Sequence, residues 1–584
     1  MRNLYSDVIS ISSGPSDALN GTISPSLFNL FHLKHLDLSY NNFDYSKIHN
    51  QFFKLKSLVY LNLSNSMFSS LIKNQFANLS TLQYLDLSCS SVIFDFSSFS
   101  YSMLTLEGSY DYSSSYLPTS YVSSTNISWL RGLINLKILK LTGVDLSLAS
   151  SVLSTNWAEP ISVLSNLREL SLSSCSISGP FPLHEFHNLS SLSLLQMDSN
   201  TLSSPIPIQL ANLTSLSVLD LNNCQLQGSV PYLPQLQYLD VSLNEDFMVD
   251  LVHMFNHPWS ILQLLSITWT NVVGPIPSSI SNASSLVYLL ASHCSIRGSL
   301  PDSISNLTHL QYLDLSFNYL NGYIPHSISN LRNLQALNLI QNGLHGPMPK
   351  SICEISSLAI LLARDNNLSG SVPSCVVKLR ILKVFDVTGN NLTGAISFRS
   401  LFLGSNPVWI SSSSNSLDVK IDVNYSLTSE FEELQTLGLQ DCNLKGYIPT
   451  FICNMTQLSL LDLSFNNLIG SIPSCIFKLP HLSYLDLSNN NLEGTLPHSI
   501  SLSQEYPISV LQLQSNKLQG PLPLPPKNVG LLDISDNEFS GEISKEVSER
   551  LSNTVHVSLS DNNLSGSIHS AICSRGSSLK VLEI

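Results

Sequence analysis

The chain is short of charge. Only 12% of its 584 residues are Asp, Glu, Lys or Arg, with acids outnumbering bases 41 to 27 for a formal charge of −14. No cluster of Lys and Arg occurs, which argues against a nucleic-acid partner because phosphate binding needs concentrated cations. No run of 18 apolar residues is present, so these residues contain no membrane-crossing helix. Met1 to Ser16 lacks the apolar centre of a secretory leader: Arg2 is followed by Asn3, Tyr5, Ser6 and Asp7. There is no phosphate-binding glycine loop and no kinase signature. His253 and His257 have the spacing of a zinc pair, but Met254-Phe255-Asn256 supplies no glutamate between them. The expectation is therefore a non-enzymatic chain with no metal and no cofactor.

What the chain has is a period. Leu310, Leu313, Leu315, Asn318, Leu320, Gly322, Ile324 and Pro325 spell L-x-x-L-x-L-x-x-N-x-L-x-G-x-I-P, and the Asn318 position returns at 270, 294, 342, 366 and 390, always 24 residues on. A fixed period in this range marks a solenoid. Leu313 and Leu315 alternate with Asp314 as in a short strand with one face buried, and three apolar residues cannot form a core alone, so each coil must stack on the next. Asn can donate to and accept from backbone groups that leave the ladder at the turn. Gly322 permits the next turn, and Pro325 falls where no ladder donor is missed. This is the leucine-rich-repeat signature, and it predicts an α/β-type solenoid: a curved right-handed superhelix with a parallel sheet on the concave face and short 3-10 or irregular segments on the convex face. Its ladder should run about 100 Å at roughly 4.8 Å per strand.

The register divides the chain. Residues 1–32 read as a worn first repeat without a Cys-paired cap, since no cysteine precedes Cys89. Coils occupy 33–92, 129–396 and 434–584. A Ser- and Tyr-rich insertion fills 93–128, either a convex loop or a docking element, and 397–433 is a degenerate coil or insertion with a faint pattern at Ile410, Asn415 and Leu417. Leu579-x-x-Leu582-x-Ile584 opens a further strand, so a longer protein is expected.

Cysteines and sequons follow the same register. Cys175, Cys224, Cys294 and Cys442 take the Asn position and read as buried thiols. Cys353 and Cys453 lie 11 residues past theirs, and Cys375 and Cys475 lie nine past theirs one coil on. That suggests disulfides Cys353 to Cys375 and Cys453 to Cys475, with free thiols as the alternative. Cys573 repeats the first spacing, its expected partner falling past residue 584. Such bridges belong outside the cytosol. The sequons at Asn78, Asn188, Asn212, Asn282, Asn306 and Asn454 all precede the next Asn position by 12 residues, on a return segment where a glycan fits, although N-L-(S/T) would also suit that turn by itself.

The recurring Asp37, Asp86, Asp220, Asp240, Asp314, Asp386, Asp462, Asp486 and Asp533 are a repeat feature rather than a catalytic cluster. Binding is better supported. Residues between and just after the strand leucines should face the concave side. There, the column before the Asn position holds Trp269, His293, Phe317, Gln341 and Asp365, flanked by Thr268, Ser292, Ser316, Ile340 and Arg364 and by Tyr288 and Tyr312 at strand starts. Trp269, Tyr288, His293, Tyr312, Phe317, Gln341, Arg364 and Asp365 are the candidate ligand contacts, because Trp, Tyr and Arg anchor interfaces. Isolated exposed aromatics are also normal on any surface.

Asp17-Ala18-Leu19-Asn20-Gly21-Thr22-Ile23, Leu141-Thr142-Gly143-Val144-Asp145-Leu146-Ser147 and the L-x-G-x-I-P coils resemble the ectodomains of plant leucine-rich-repeat receptor-like proteins of the disease-resistance type. The resemblance implies a glycosylated cell-surface ectodomain without a kinase, sensing a microbial or damage-derived protein, peptide or glycan. Signalling would pass through a receptor-kinase co-receptor and an adaptor kinase. Two alternatives share the scaffold: the ectodomain of a receptor kinase for a peptide or steroid hormone, and a soluble inhibitor of a wall-degrading enzyme.

Overall fold

The computed structural model describes residues 18–89, 121–151, 157–397, 407–420, 433–500, 508–526, 529–573 and 577–584. They form two compact units, Met1–Ser295 and Ile296–Ile584, each a stack of leucine-rich-repeat coils.

In each coil a three-residue strand pairs in parallel with its counterpart one coil on. Tyr60 faces Tyr84 and Asp220 faces Asp240 in the first unit; Leu313 faces Leu337 and Leu461 faces Leu485 in the second. Among the described residues the first unit has ten such strands and the second twelve. Leu310, Leu313 and Leu315 are fully buried. Complete burial of a leucine is worth about 1.5–3 kcal/mol, so the leucines supply most of the cohesion.

After the strand, the chain returns through a 3-10 turn such as Asp302–Asn306, His326–Asn330 or Lys350–Glu354. Pro301, Pro325 and Pro349 precede these turns at φ of −75°, −67° and −67°. The proline ring is already set there, and its missing N–H is not needed.

The turn asparagine bonds in both directions. Asn366 Nδ2 donates to the carbonyls of Leu339, Ala363 and Arg364 at 2.8, 3.2 and 3.2 Å, while its Oδ1 accepts from Leu344 N at 3.1 Å. Asn390, Asn466 and Asn490 repeat the set. Cysteine covers only half of it. Cys442 Sγ donates to Ser412 O and Gln440 O at 3.3 and 3.4 Å, but the acceptor for Val419 N is the Cys442 main-chain carbonyl, at 3.3 Å. Cys175 and Cys224 likewise accept from Leu146 N and Leu202 N through their own carbonyls, at 2.9 and 3.0 Å.

This exchange shifts the chain after the turn. Past an asparagine, that segment pairs with the coil before, as in Asn321 with Gly343, Gly346 with Leu368 and Gly370 with Leu392. The result in the second unit is a further six-stranded sheet from Arg297–Ser299 to Ser416–Lys420. It ends where Cys442 replaces asparagine, and another six-stranded sheet starts at Lys445–Gly446.

Two divisions read from the sequence change. Tyr121–Ser124, assigned to the 93–128 insertion, is a strand parallel to Ser69–Ile72, and the 3-10 turn Ser128–Gly132 begins before its end. The strand ladder bridges the insertion, Leu85 pairing with Leu139. Residues 90–120 lie outside the described residues. The degenerate coil is complete at its centre, with Trp409–Ser411 in the ladder and Ser416–Lys420 beside Asn391–Ser397. Ile410 and Leu417, the remnant of the pattern in the sequence, are buried there.

Asn366→Ala should lower stability by about 2–4 kcal/mol in chemical denaturation, because it orphans a buried N–H and three carbonyls. Asn366→Cys should lose clearly less, since a thiol restores the donor. Equal losses would contradict the division of labour described.

Candidate ligand-binding surface

The strand aspartates have a structural task. Each Oδ1 accepts from the backbone N–H two residues on: Ser39 donates to Asp37, Ser242 to Asp240, Ser316 to Asp314, Thr388 to Asp386 and Ser464 to Asp462, at 2.9–3.0 Å. Asn62 and Asn338 make the same bond to Ser64 and Ile340, so charge is not required there.

The column before the turn residue holds an unexpected conformation. Trp269, His293, Phe317, Gln341 and Asp365 all have left-handed backbone, with φ of 58°, 54°, 53°, 51° and 56°. The cause is local. This residue swings its N–H onto the next coil, Trp269 to Ser292 O at 3.0 Å, Gln341 to Arg364 O at 2.8 Å and Asp365 to Thr388 O at 2.9 Å. Elsewhere the position takes Ser174, Ser199, Asn223, Asn489, Asp536 or Asp561, types that tolerate this region, and Gly389 occupies it at φ 64°. A bulky residue there costs about 1–2 kcal/mol.

Trp269, Tyr288 and His293 belong to the first unit. The Trp269 ring, 38% exposed, stacks on His293 with centroids 4.2 Å apart and planes 9° from parallel. Tyr288 is half-exposed. In the second unit Gln341 and Asp365 are exposed, and Phe317 and Arg364 are half-exposed. Arg364 is committed to carboxylates, Nε 3.3 Å from Asp365 and Nη1 3.9 Å from Asp386.

Two expectations about exposure are corrected. Tyr312 is only 9% exposed, its hydroxyl donating to Gln335 Oε1 at 3.0 Å. Thr268, Ser292, Ser316 and Ile340 are buried rather than facing solvent. Strands this close let the left-handed residue and its neighbours cover small side chains beside the ladder.

Reading by columns around the most regular coils missed other residues. Phe465 (53% exposed) and Tyr40 share the left-handed position. In the first unit, His35, Tyr60 and Tyr84 form a stacked ladder with centroids 4.0 and 4.3 Å apart, and Tyr60 and Tyr84 donate to Asp37 and Asp86 at 3.2 Å. Burial raises the Tyr84 phenol, with Asp86 adding to it. Burial opposes ionisation of Asp37, yet hydrogen bonds from Ser39, Asn62 and Tyr60 hold it below the usual range. Their shared strand-start register was the available signal.

Asp198, Asp220 and Asp240 stand together on successive coils, all buried. None takes part in the five ion pairs among the described residues. Burial raises all three, Asp220 well above the carboxylate range, with repulsion from Asp198 and Asp240 added.

Cys353 and Cys375 are bonded to each other, as are Cys453 and Cys475, with Cα atoms 5.8 and 5.6 Å apart. Asn78, Asn188, Asn212, Asn282, Asn306 and Asn454 are all exposed, whereas the sequon residue Asn62 is buried against Asp37. Asn306 borders an open groove of about 410 Å³ with Thr308, His309, Asn330 and Arg332. His253 and His257 meet edge to face at 5.9 Å, and no three metal-ligating side chains converge among the described residues. No helix there is long and apolar enough to cross a membrane.

The fold and the turn chemistry define a leucine-rich-repeat protein. Two leucine-rich-repeat family models match, one over 31–90, 284–344 and 432–492 and the other over 166–189 and 215–236. The chain is similar to plant receptor-like proteins: it is 31% identical to Receptor-like protein EIX1 of Solanum lycopersicum over 39% of its length, and 33% identical to Receptor-like protein 6 of Arabidopsis thaliana over 46%. It spans 19% and 20% of those relatives. Among solved structures, the plant peptide hormone receptor RGFR1 in complex with RGF2 matches with TM-score 0.67 at 27% identity, covering 94% of this chain and 80% of that one. The Arabidopsis receptor kinase HAESA, in complex with the peptide hormone IDA and the co-receptor SERK1, matches with TM-score 0.64 at 25% identity, covering 97% and 84%.

The acid cluster sets a sign for pH dependence. Folded-state pKa values above the unfolded 3.8 mean that the native state holds protons more tightly, so this stability is present at low pH and lost as pH rises through the raised values. Thermal unfolding should move to lower temperature as pH rises above the ordinary carboxylate range, and Asp220→Asn, which keeps the turn bond, should flatten that slope. An unchanged slope would remove the cluster as its cause.

Proposed function

We propose that the chain is a non-enzymatic extracellular recognition module of a plant cell-surface immune receptor-like protein. It binds a microbial or damage-derived ligand on the concave leucine-rich-repeat face and signals through partner receptor kinases. The observation that carries this reading is Trp269, exposed and stacked on His293 at a left-handed position where most coils take Ser, Asn, Asp or Gly. Folding gains nothing from a bulky ring there, and retained strain of this kind is typical of functional sites. Phe317 supports the same reading in the second unit.

The peptide-hormone complexes formed by RGFR1 and HAESA favour a peptide within the ligand class, and SERK1 beside HAESA supports a co-receptor kinase as partner. The disulfides and the six exposed sequon residues fit a secreted, glycosylated setting.

The test is to screen the secreted chain against fungal culture filtrates and synthetic plant peptides, then measure affinity for the purified hit. Trp269→Ala should weaken binding at least about tenfold, the scale of an interface anchor. Undiminished binding would move the ligand off this face.

Peptide mapping without reductant should recover Cys353 linked to Cys375 and Cys453 linked to Cys475. Each bridge closes a loop of 22 residues, so Cys353→Ser should cost about 3 kcal/mol in denaturation. Free thiols at these positions would defeat the assignment.

A further inference from the structure

The six-stranded sheet that begins at Arg297–Ser299 carries a surface the ligand column does not use. On its outward positions stand Arg297, Tyr319, Asn321, Tyr323 and His345, all exposed, the two tyrosines at 62% and 60%. The Arg297 guanidinium lies over the Tyr319 ring, 5.3 Å from its centroid, and Tyr323 meets His345 edge to face at 4.7 Å. Tyr323 keeps its place because Gly346, at φ 77°, has no side chain: a Cβ there would come within 2.2 Å of the Tyr323 ring.

Charge distinguishes this face. In a chain of net charge −14, its first five strands, from Arg297–Ser299 to Asn391–Ser397, contain no Asp or Glu, and the sixth, Ser416–Lys420, carries Asp418 together with Lys420. The neighbouring six-stranded sheet, built from the same repeat positions, has one comparable tyrosine, Tyr447, and sets Glu493, Glu538 and Glu542 against Lys445 and Lys517. The aromatic face, with Arg297 and no acid on its first five strands, is therefore the better suited of the two to an acidic occupant.

We propose that this face binds an acidic oligosaccharide, a chain of uronate sugars. The four inner strands are paired on both sides, so a peptide cannot add to the sheet as a further strand there; among the described residues only Arg297–Ser299 and Ser416–Lys420 have an open edge. Exposed rings offer C–H faces a stacking surface, Arg297 meets a carboxylate, and the amides of Asn321, Asn367 and Asn391 meet hydroxyls. Tyr319 and Tyr323 lie four residues apart, roughly 13 Å at 3.3 Å per residue, a span of several sugars.

The experiment uses the full chain with an octamer of 1,4-linked galacturonic acid, a neutral cello-oligomer and a hexaglutamate peptide as probes. The octamer should bind, the neutral oligomer should not, and hexaglutamate should bind at least about tenfold more weakly. Tyr319→Ala with Tyr323→Ala should reduce octamer affinity about tenfold or more, and Arg297→Gln should reduce both affinity and its salt dependence. These side chains are exposed, so their loss leaves the core intact. Glu538→Gln and Trp269→Ala should change nothing, which separates this surface from the ligand column. Failure of the octamer to bind would overturn the proposal. So would indifference to the tyrosine pair, equal binding of hexaglutamate, or loss of binding on Trp269→Ala.

Discussion

Everything in this fold hangs on what a buried carboxamide can do that no other small side chain can. The chain must leave the strand ladder once in every coil, and each departure strands N–H and C=O groups inside the stack. Asn366 gathers three carbonyls and one amide from two coils, so a single side chain closes its own turn and fastens it to its neighbour. Burying those groups unpaired would cost about 1–3 kcal/mol each, comparable to what a leucine contributes by leaving water. The leucines drive the stacking, and the asparagines set its register.

Cysteine at that position shows which half of the task is dispensable. The thiols of Cys175, Cys224 and Cys442 donate as Asn does, and burial keeps them protonated, pushing Cys442 up to about 12. They cannot supply the second oxygen, so the backbone carbonyl moves in to replace it. That small displacement ends one lateral sheet in the second unit and lets another begin with a different set of outward residues. A substitution that looks conservative for packing thus acts as a boundary for surface chemistry.

Much of this was legible in the sequence because a solenoid writes its geometry as a period. The Asn column, the buried leucines and the 11- and nine-residue cysteine offsets are all translational, and translation along the stack is what sequence spacing measures. Exposure was less legible. Tyr312 and Ile340 have the spacing of outward residues, yet neighbouring coils cover them, and coverage depends on the sizes of side chains 24 residues away. The left-handed backbone of Trp269 was hidden for a different reason. Most coils place a Ser, Asn or Asp there, and only the exceptions carry bulky rings, so a consensus reading passes over the conformation. The His35, Tyr60 and Tyr84 ladder escaped because its first step falls in a coil of 25 residues, off the 24-residue register.

The left-handed position also explains how such a scaffold can diversify without unfolding. Its structural duty is discharged by a main-chain N–H, as in Trp269 to Ser292 and Asp365 to Thr388, and its side chain is left out of the core. Any residue able to bear about 1–2 kcal/mol of backbone strain can therefore stand there. Because the ladder and turn bonds of each coil go to the coils beside it, that cost stays local and does not accumulate into a change of fold. Binding chemistry and folding chemistry thus occupy different atoms of the same residue, which is why Trp269, Gln341 and Asp365 can differ completely in character while their backbones superimpose in φ to within a few degrees.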